Sequence, residues 1–414
     1  MAGLGAGFNR LWTASIASNL ADGLARTAIP LIATTLTKDP LLIAGIGALA
    51  FLPWLMFGVL SGVVVDRVDR RRAMAVANVV RTVAALAVVA SALSGTLTIW
   101  LLYVCILAFG IGETFYDNST IAMVPSLVGK NGLERANSRM QAADLVVQNF
   151  IATPIAGFLF TAAITLPLVP TTVGYLLAAA LSLTLPVIAG RSPRSEPVTD
   201  ATATVRGDVA EAFRFLIAHR FLRSVVLFTS AVGALIAFAQ ATIVLFVLET
   251  MDVPEFGFGI VAALIGVGGL AGALMASSLV SRFGRGRILI VGTALGGLGL
   301  FGAGLAPTIW VAVPFYMVSS FGISIWNVPW GALRQDIIPG HLLGRLIGTI
   351  RTLTWGVMPI GALLGGLVGR IDLRLPLIVG GALIVVASLA TSRLLLQADS
   401  YSSTDVPENV GGAT

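Results

Sequence analysis

Charge is what this chain has least of. Asp, Glu, Lys and Arg make up 11% of its 414 residues, against about 25% in ordinary soluble domains. So little solvating charge excludes a soluble globular enzyme. Cysteine is scarcer still: Cys105 stands alone in an apolar run, which excludes a disulfide framework. Two histidines, His219 and His341, are too few for a Cys/His metal site, and no metal or other cofactor is expected. The chain has no phosphate-cradling Walker A loop, no TVGYG-like filter, no nucleophile elbow and no HExxH pair. A nucleotide-driven pump, a potassium-type channel and an intramembrane hydrolase therefore lack their signatures, and no enzymatic activity is expected. What remains is 57% hydrophobic, with a mean hydropathy of +0.93. Its 46 aperiodic glycines and 18 prolines are scattered through apolar runs. That composition reads as an all-α integral membrane protein, far too apolar for disorder. The formal net charge of +6 would suggest nucleic acid in a soluble protein. Here loop arginines account for it, and no nucleic-acid partner is expected.

A spanning helix needs about 20 mostly apolar residues, because the bilayer core cannot satisfy exposed backbone groups. The hydrophobic runs predict twelve spans, at 9–35, 41–65, 73–94, 98–124, 138–162, 168–190, 221–248, 257–281, 288–306, 308–333, 343–369 and 374–396. The first run is too long for a signal peptide and lacks a small-residue cleavage site, so it is expected to remain as a span. Basic residues fix the orientation. With the N-terminus cytoplasmic, 20 of the 26 Lys and Arg fall in inside loops and helix ends. Lys38, Arg370 and Arg374 fall outside, and Arg26, Arg81 and Arg351 lie within spans. Both termini are then cytoplasmic. The expected organisation is a six-helix bundle over 1–190, a cytoplasmic linker with a surface helix over 191–220, a second six-helix bundle over 221–396, and a disordered tail over 397–414.

Two internal echoes point to duplication. Asp66, Arg67 and Arg70 after span 2 align with Ser281, Arg282 and Arg285 after span 8, at a constant offset of 215. Thr153-Pro154-Ile155-Ala156-Gly157 in span 5 is echoed by Met358-Pro359-Ile360-Gly361 in span 11. Duplicated six-helix halves place a substrate cavity at their interface near mid-membrane.

Gly62-x3-Asp66-Arg67-x2-Arg70-Arg71, with twelve spans and a mid-chain cytoplasmic loop, resembles the major facilitator superfamily. The stretches ETFYDNSTIAMVPSLV, LERANSRMQAADLVVQNFIATPIAGFL and IIPGHLLGRLIGTIRTLTWGVMPIGALLGG are similar to its bacterial multidrug, macrolide and siderophore exporters. The resemblance covers nearly the whole chain before the tail. It implies a secondary transporter of amphipathic small molecules working by alternating access, driven by protons in a bacterial inner membrane, and a monomer. It also implies that Gly62, Asp66, Arg67, Arg70 and Arg71 latch the two halves on the cytoplasmic side. An acid is unnecessary for a mere topology anchor, which favours the latch for Asp66, Arg67 and Arg70. The chain departs from the family where many proton-coupled exporters carry an arginine in span 4, here Ile106. It also keeps only Pro154-x-x-Gly157 of the glycine-rich antiporter motif in span 5.

Ionisable groups inside spans cost at least about 2.5–3.5 kcal/mol, so each is a functional candidate. They fall on helical stripes: Asn19, Asp22 and Arg26; Glu113 and Asp117 after Gly110; Asn137, Gln141, Asp144 and Gln148; and Ser320, Ser324, Asn327, Trp330 and Arg334. Asp22 and Glu113 are the expected proton-coupling carboxylates, with the alternative that Arg26, one turn on, neutralises Asp22 as a structural pair. Arg26, Arg81, Asp117, Asp144 and Arg351 are read as a polar network. Asn19, Gln148, Asn149, Gln240, Asn327, Trp326, Trp330 and Trp355 are candidates to line the cavity. The expected activity is proton-coupled export. The alternatives are a carrier for one metabolite or siderophore, and a structural or signalling membrane protein without gradient-driven flux.

Overall fold

The computed structural model describes residues 4–65, 67–128, 132–190, 211, 213–339 and 342–400. Among them the structure is all helical, without strands. The main helices are α1 (Ala6–Leu36), α2 (Pro40–Val65), α3 (Arg70–Leu93), α4 (Ile99–Val128), α5 (Leu133–Leu145), α6 (Thr153–Ala162) and α7 (Leu168–Leu183). They continue as α8 (Arg220–Gln240), α9 (Glu255–Phe283), α10 (Arg285–Leu305), α11 (Ile309–Ile337), α12 (Leu343–Gly356), α13 (Met358–Gly369) and α14 (Leu375–Ala390). Among the described residues nine helical stretches are long and apolar enough to cross a bilayer, or ten if Leu375–Ala390 and the bent Ser392–Ser400 form one span. Two of the twelve expected spans fall short of that measure for different reasons. α1 has 31 residues but carries Asn9, Arg10, Asn19, Asp22 and Arg26, and α7 is apolar but 16 residues long.

Two spans break beside a proline. Pro154 has no N–H to donate and its ring crowds the carbonyl four residues back; the preceding Val146–Ala152 relaxes into a π-helical turn between α5 and α6. The echo in span 11 breaks in the same way: α12 stops at Gly356, and α13 restarts at Met358, next to Pro359. The last span bends by 56° after Ala390.

The described residues fall into two compact units. One contains everything up to 190 together with 241–264 and 362–373. The other contains the described residues of 211–240, 265–361 and 374–400. The first unit is built around Ala21, Ala28, Leu31 and Ile32 of α1, Val88 of α3, Leu102 of α4 and Tyr175 of α7, all fully buried. The second is built around Leu222 and Val225 of α8, Leu289 of α10, Leu333 of α11 and Leu346 of α12. The first four residues of the expected disordered tail are ordered. Gln397–Ser400 forms a 3-10 turn with Ala398 buried, and the Asp399 carboxylate accepts the Gly286 N–H at 3.0 Å. That acid meets the N-terminus of α10, where the helix dipole favours negative charge. In the expected surface helix, residues 213–218 are helical; its earlier part lies outside the described residues, as do 401–414.

Candidate functional site

Inside the first unit, five helices bring ionisable side chains together. α1 alternates small and polar residues, so its Ser15, Ser18 and Asp22 face inward at +3 and +4 spacing and are buried. Arg81 of α3 enters this face and is fully buried. Its Nη1 donates to the Ser18 hydroxyl at 3.0 Å and to Asn78 Oδ1 at 3.2 Å, and lies 3.4 Å from Asp22 Oδ1. Its Nε donates to the Phe109 carbonyl at 3.3 Å. The Tyr175 hydroxyl of α7 donates to Asp22 Oδ1 at 2.7 Å, and the guanidinium stacks over the Tyr175 and Tyr116 rings at 5.2 and 5.7 Å. A buried charge of either sign is tolerable only when paired and hydrogen-bonded, and Asp22 and Arg81 satisfy each other.

Arg26, one turn from Asp22, turns elsewhere. It donates to Glu113 of α4 in a charge-assisted hydrogen bond. The alternative that Arg26 neutralises Asp22 is not what the structure shows: Arg26 meets Glu113, and Asp22 is paired with Arg81. The two pairs differ in access. The Arg81 and Asp22 side chains are 0% and 8% exposed, those of Arg26 and Glu113 59% and 18%. Asp117, one turn beyond Glu113, is half-buried and has no ion pair among the described residues. It lies within electrostatic range of Glu113, Arg81, Asp22 and Asp144. Asp144 of α5 is exposed and accepts a hydrogen bond from Gln148, with Arg26 and Glu113 in range. Asn19 is half-buried on the same helix as Asp22. The cluster thus gathers four carboxylates, Asp22, Glu113, Asp117 and Asp144, around two guanidiniums, Arg26 and Arg81.

Most of the remaining candidates belong to the second unit or to the connection between α2 and α3. In the second unit Trp330 is buried in the hydrophobic core and packs on Trp326 at 5.7 Å, while Arg334 lies over its ring at 5.2 Å. Trp330 therefore packs into the core of the second unit. Arg351 sits 4.0 Å above the Trp355 ring, and Gln240 and Asn327 are exposed. The side chain of Asn149 and the whole of Asp66 lie outside the described residues. Of the other latch residues, Arg67 is exposed, and buried Arg70 donates to the Ala122 carbonyl at 2.9 Å. Arg71 donates to Asp69 and, at 3.0 Å, to the Leu185 carbonyl. At Gly62, among the described residues, nothing lies within 4 Å of where a Cβ would stand. The acid that caps α3 is Asp69, which accepts the Arg71 N–H at 3.0 Å. Arg71 holds its carboxyl below the usual carboxylate range. Asp69 carries the Ncap preference for Asp just before a helix; that signal was legible, though overshadowed by the neighbouring arginines. Ser18, Asn78 and Tyr175 were also not singled out. Ser18 and Asn78 were within reach by helical spacing, four residues before Asp22 and three before Arg81, whereas nothing near Tyr175 in the chain marks it.

The transmembrane secretion effector family model matches residues 5–410. Macrolide efflux protein A of Streptococcus pyogenes is 24% identical over 391 residues, 92% of this chain and 94% of that protein. Macrolide efflux protein A of Enterococcus faecalis is 24% identical over 328 residues, covering 77% and 98%. Among solved structures, a bacterial homologue of the iron transporter ferroportin in an inward-facing state superposes with a TM-score of 0.73 at 17% identity, covering 95% of this chain and 98% of that one. The D-xylose–proton symporter gives 0.67 at 17%, covering 98% of each. Those likenesses establish the fold. A multi-pass chain with this architecture, matched from residue 5 to residue 410, belongs to the transmembrane secretion effector family of major facilitator superfamily transporters.

Proposed function

We propose that this transporter exports amphipathic small molecules, macrolides among them, in exchange for protons. It would do so by alternating access of two six-helix halves in a bacterial inner membrane, with both termini cytoplasmic. One observation carries the reading: four intramembrane carboxylates share two guanidiniums. Two negative charges remain uncompensated if all ionise, and each is expensive at depth. Protonation, or a cationic group on the substrate, relieves that excess.

Within the cluster, Glu113 is the proton site. Its carboxylate is partly accessible and its partner Arg26 faces open space, so a proton can reach it and release the arginine. Asp117 and Asp144 then stand ready to receive Arg26. Asp22, sealed with Arg81 and Tyr175, holds α1, α3 and α7 together. A proton drives transport only if its affinity differs between the two access states, and a change of partner by Arg26 supplies such a difference. The efflux relatives support the direction and the substrate class.

The test is uptake of a radiolabelled macrolide into inside-out vesicles with an acidified lumen. The wild-type chain is expected to accumulate the drug. Glu113→Gln is expected to lose gradient-driven accumulation while keeping passive exchange. Flux indifferent to the gradient, or a Glu113→Gln/Asp117→Asn double variant that accumulates like wild type, overturns the proposal.

A further inference from the structure

Within the second unit a groove of about 460 Å³ opens between α9, α10 and α11. Met275 and Leu279 of α9, Val291 and Leu295 of α10 and Phe321 of α11 line it, and Met275 and Val291 are each nearly half exposed. Arg287 closes the end where α9 turns into α10. That turn is tight: Gly284 alone separates the two helices, at φ +86°, a left-handed conformation that favours glycine. The turn therefore delivers Arg282, Arg285 and Arg287 in close succession at one membrane surface.

Their partners differ. Arg285 pairs with Asp336 at 2.6 Å, and Arg282 lies over the Phe283 ring at 5.3 Å. Asp399, the other acid at the turn, is held by the Gly286 N–H. Arg287 is exposed and has no ion pair among the described residues. A bilayer-facing groove is always covered by lipid, so apolarity alone selects nothing. A guanidinium at its surface end does select, because its unpaired positive charge favours a headgroup of net negative charge. Basic pockets between transmembrane helices favour anionic headgroups for this reason.

We propose that this groove binds one anionic phospholipid, with its phosphate on Arg287 and an acyl chain along Met275, Leu279, Val291, Leu295 and Phe321. The net negative headgroup is what distinguishes it from the surrounding zwitterionic lipid.

The test is native mass spectrometry of the purified full-length chain with phosphatidylglycerol or phosphatidylcholine of identical acyl chains, alongside thermal unfolding in each lipid. Wild type is expected to retain one phosphatidylglycerol with about fivefold preference, the scale of one arginine at a membrane surface. Arg287→Gln should fall to parity and Arg287→Lys should keep most of the preference. Val291→Trp, which fills the groove and spares the charge, should lose the bound lipid. Arg72→Gln, an exposed arginine of the other unit, should change nothing. Equal headgroup retention by wild type, undiminished preference in Arg287→Gln, or displacement of the lipid by inorganic phosphate at constant ionic strength each overturns the proposal. An Arg287→Gln chain that unfolds in either lipid is read through Arg287→Lys, whose loss of preference also overturns it.

Discussion

Arg81 is the residue on which the first unit is organised. It joins α1, α4 and α7 through Asp22, Ser18, the Phe109 carbonyl and the Tyr175 ring. Removing one member of a buried pair leaves an uncompensated charge and typically costs about 3–5 kcal/mol. Arg81→Gln is therefore expected to lower the thermal midpoint, followed by tryptophan fluorescence, far more than Arg26→Gln at the accessible pair. Asp22→Asn/Arg81→Gln should recover part of that loss; a strictly additive double variant would mean the two groups do not interact. Asp39, outside the membrane helices, behaves differently. Arg370 donates to both its oxygens, Nε at 2.8 Å, and this holds the carboxyl below its ordinary value. A depressed folded-state pKa stabilises above the unfolded value of about 3.9 and is lost as pH falls through the folded value. The stability difference between wild type and Asp39→Asn should thus be constant near neutrality and shrink below about pH 4. Such single-residue features were half legible. Charge inside apolar runs singled out Asp22, Arg81 and Glu113, which the structure gathers in one cluster. Which arginine met which acid was hidden, because Asp22 and Arg26 stand one turn apart on the same face of α1 and their partners depend on how α3 and α4 are rotated against it.

At the scale of elements, the two internal repeats resolve into physical equivalents. Arg70 and Arg285 each begin the helix after a tight connection. Each reaches the end of a partner helix, Arg70 the Ala122 carbonyl of α4 and Arg285 the Asp336 carboxylate of α11. With the offset of 215, Ala122 maps to 337, one residue from Asp336, so the echo in sequence is an echo in bonding. Likewise Pro154 and Pro359 both interrupt their spans. The spans were visible as apolar runs because hydropathy averages over about 20 residues. The breaks and the π turn were not, since they answer to local geometry that the average erases. Glycine had the same problem: composition marks it without saying which copies touch. Gly157 backs onto Gly259, where an added Cβ would come within 2.9 Å of the opposing Cα, whereas Gly62 faces open space. Gly157→Val is accordingly expected to force the backbones apart at roughly 1–3 kcal/mol. Gly62→Ala should be neutral or slightly stabilising, since alanine favours helix by about 1 kcal/mol. Loss of transport in Gly62→Ala without loss of stability would return Gly62 to the latch.

For the whole molecule, arginine distribution makes the sharpest commitment. The three basic residues expected on the outer surface are all engaged: Lys38 with Glu249, Arg370 with Asp39, and Arg374 with the Gly304 and Ala306 carbonyls that end α10. A cation at those carbonyls is favoured by the helix dipole. Their placement is therefore explained by local pairing, and the orientation rests on the many arginines at the opposite helix ends. That claim is open to a clean measurement, because Cys105 is buried and supplies little background to a thiol reagent. Lys38→Cys and Arg287→Cys each place one accessible reporter, on opposite sides of the proposed topology, in a chain whose single native cysteine is the buried Cys105. In intact cells a membrane-impermeant maleimide should label Lys38→Cys and spare Arg287→Cys, and permeabilisation should expose the second. The reverse pattern would put both termini outside, and with them the acid side of the gradient that Glu113 is proposed to sense. Labelling of both in intact cells would place an even number of spans between them and dismantle the twelve-span plan while leaving the helical fold of each unit untouched.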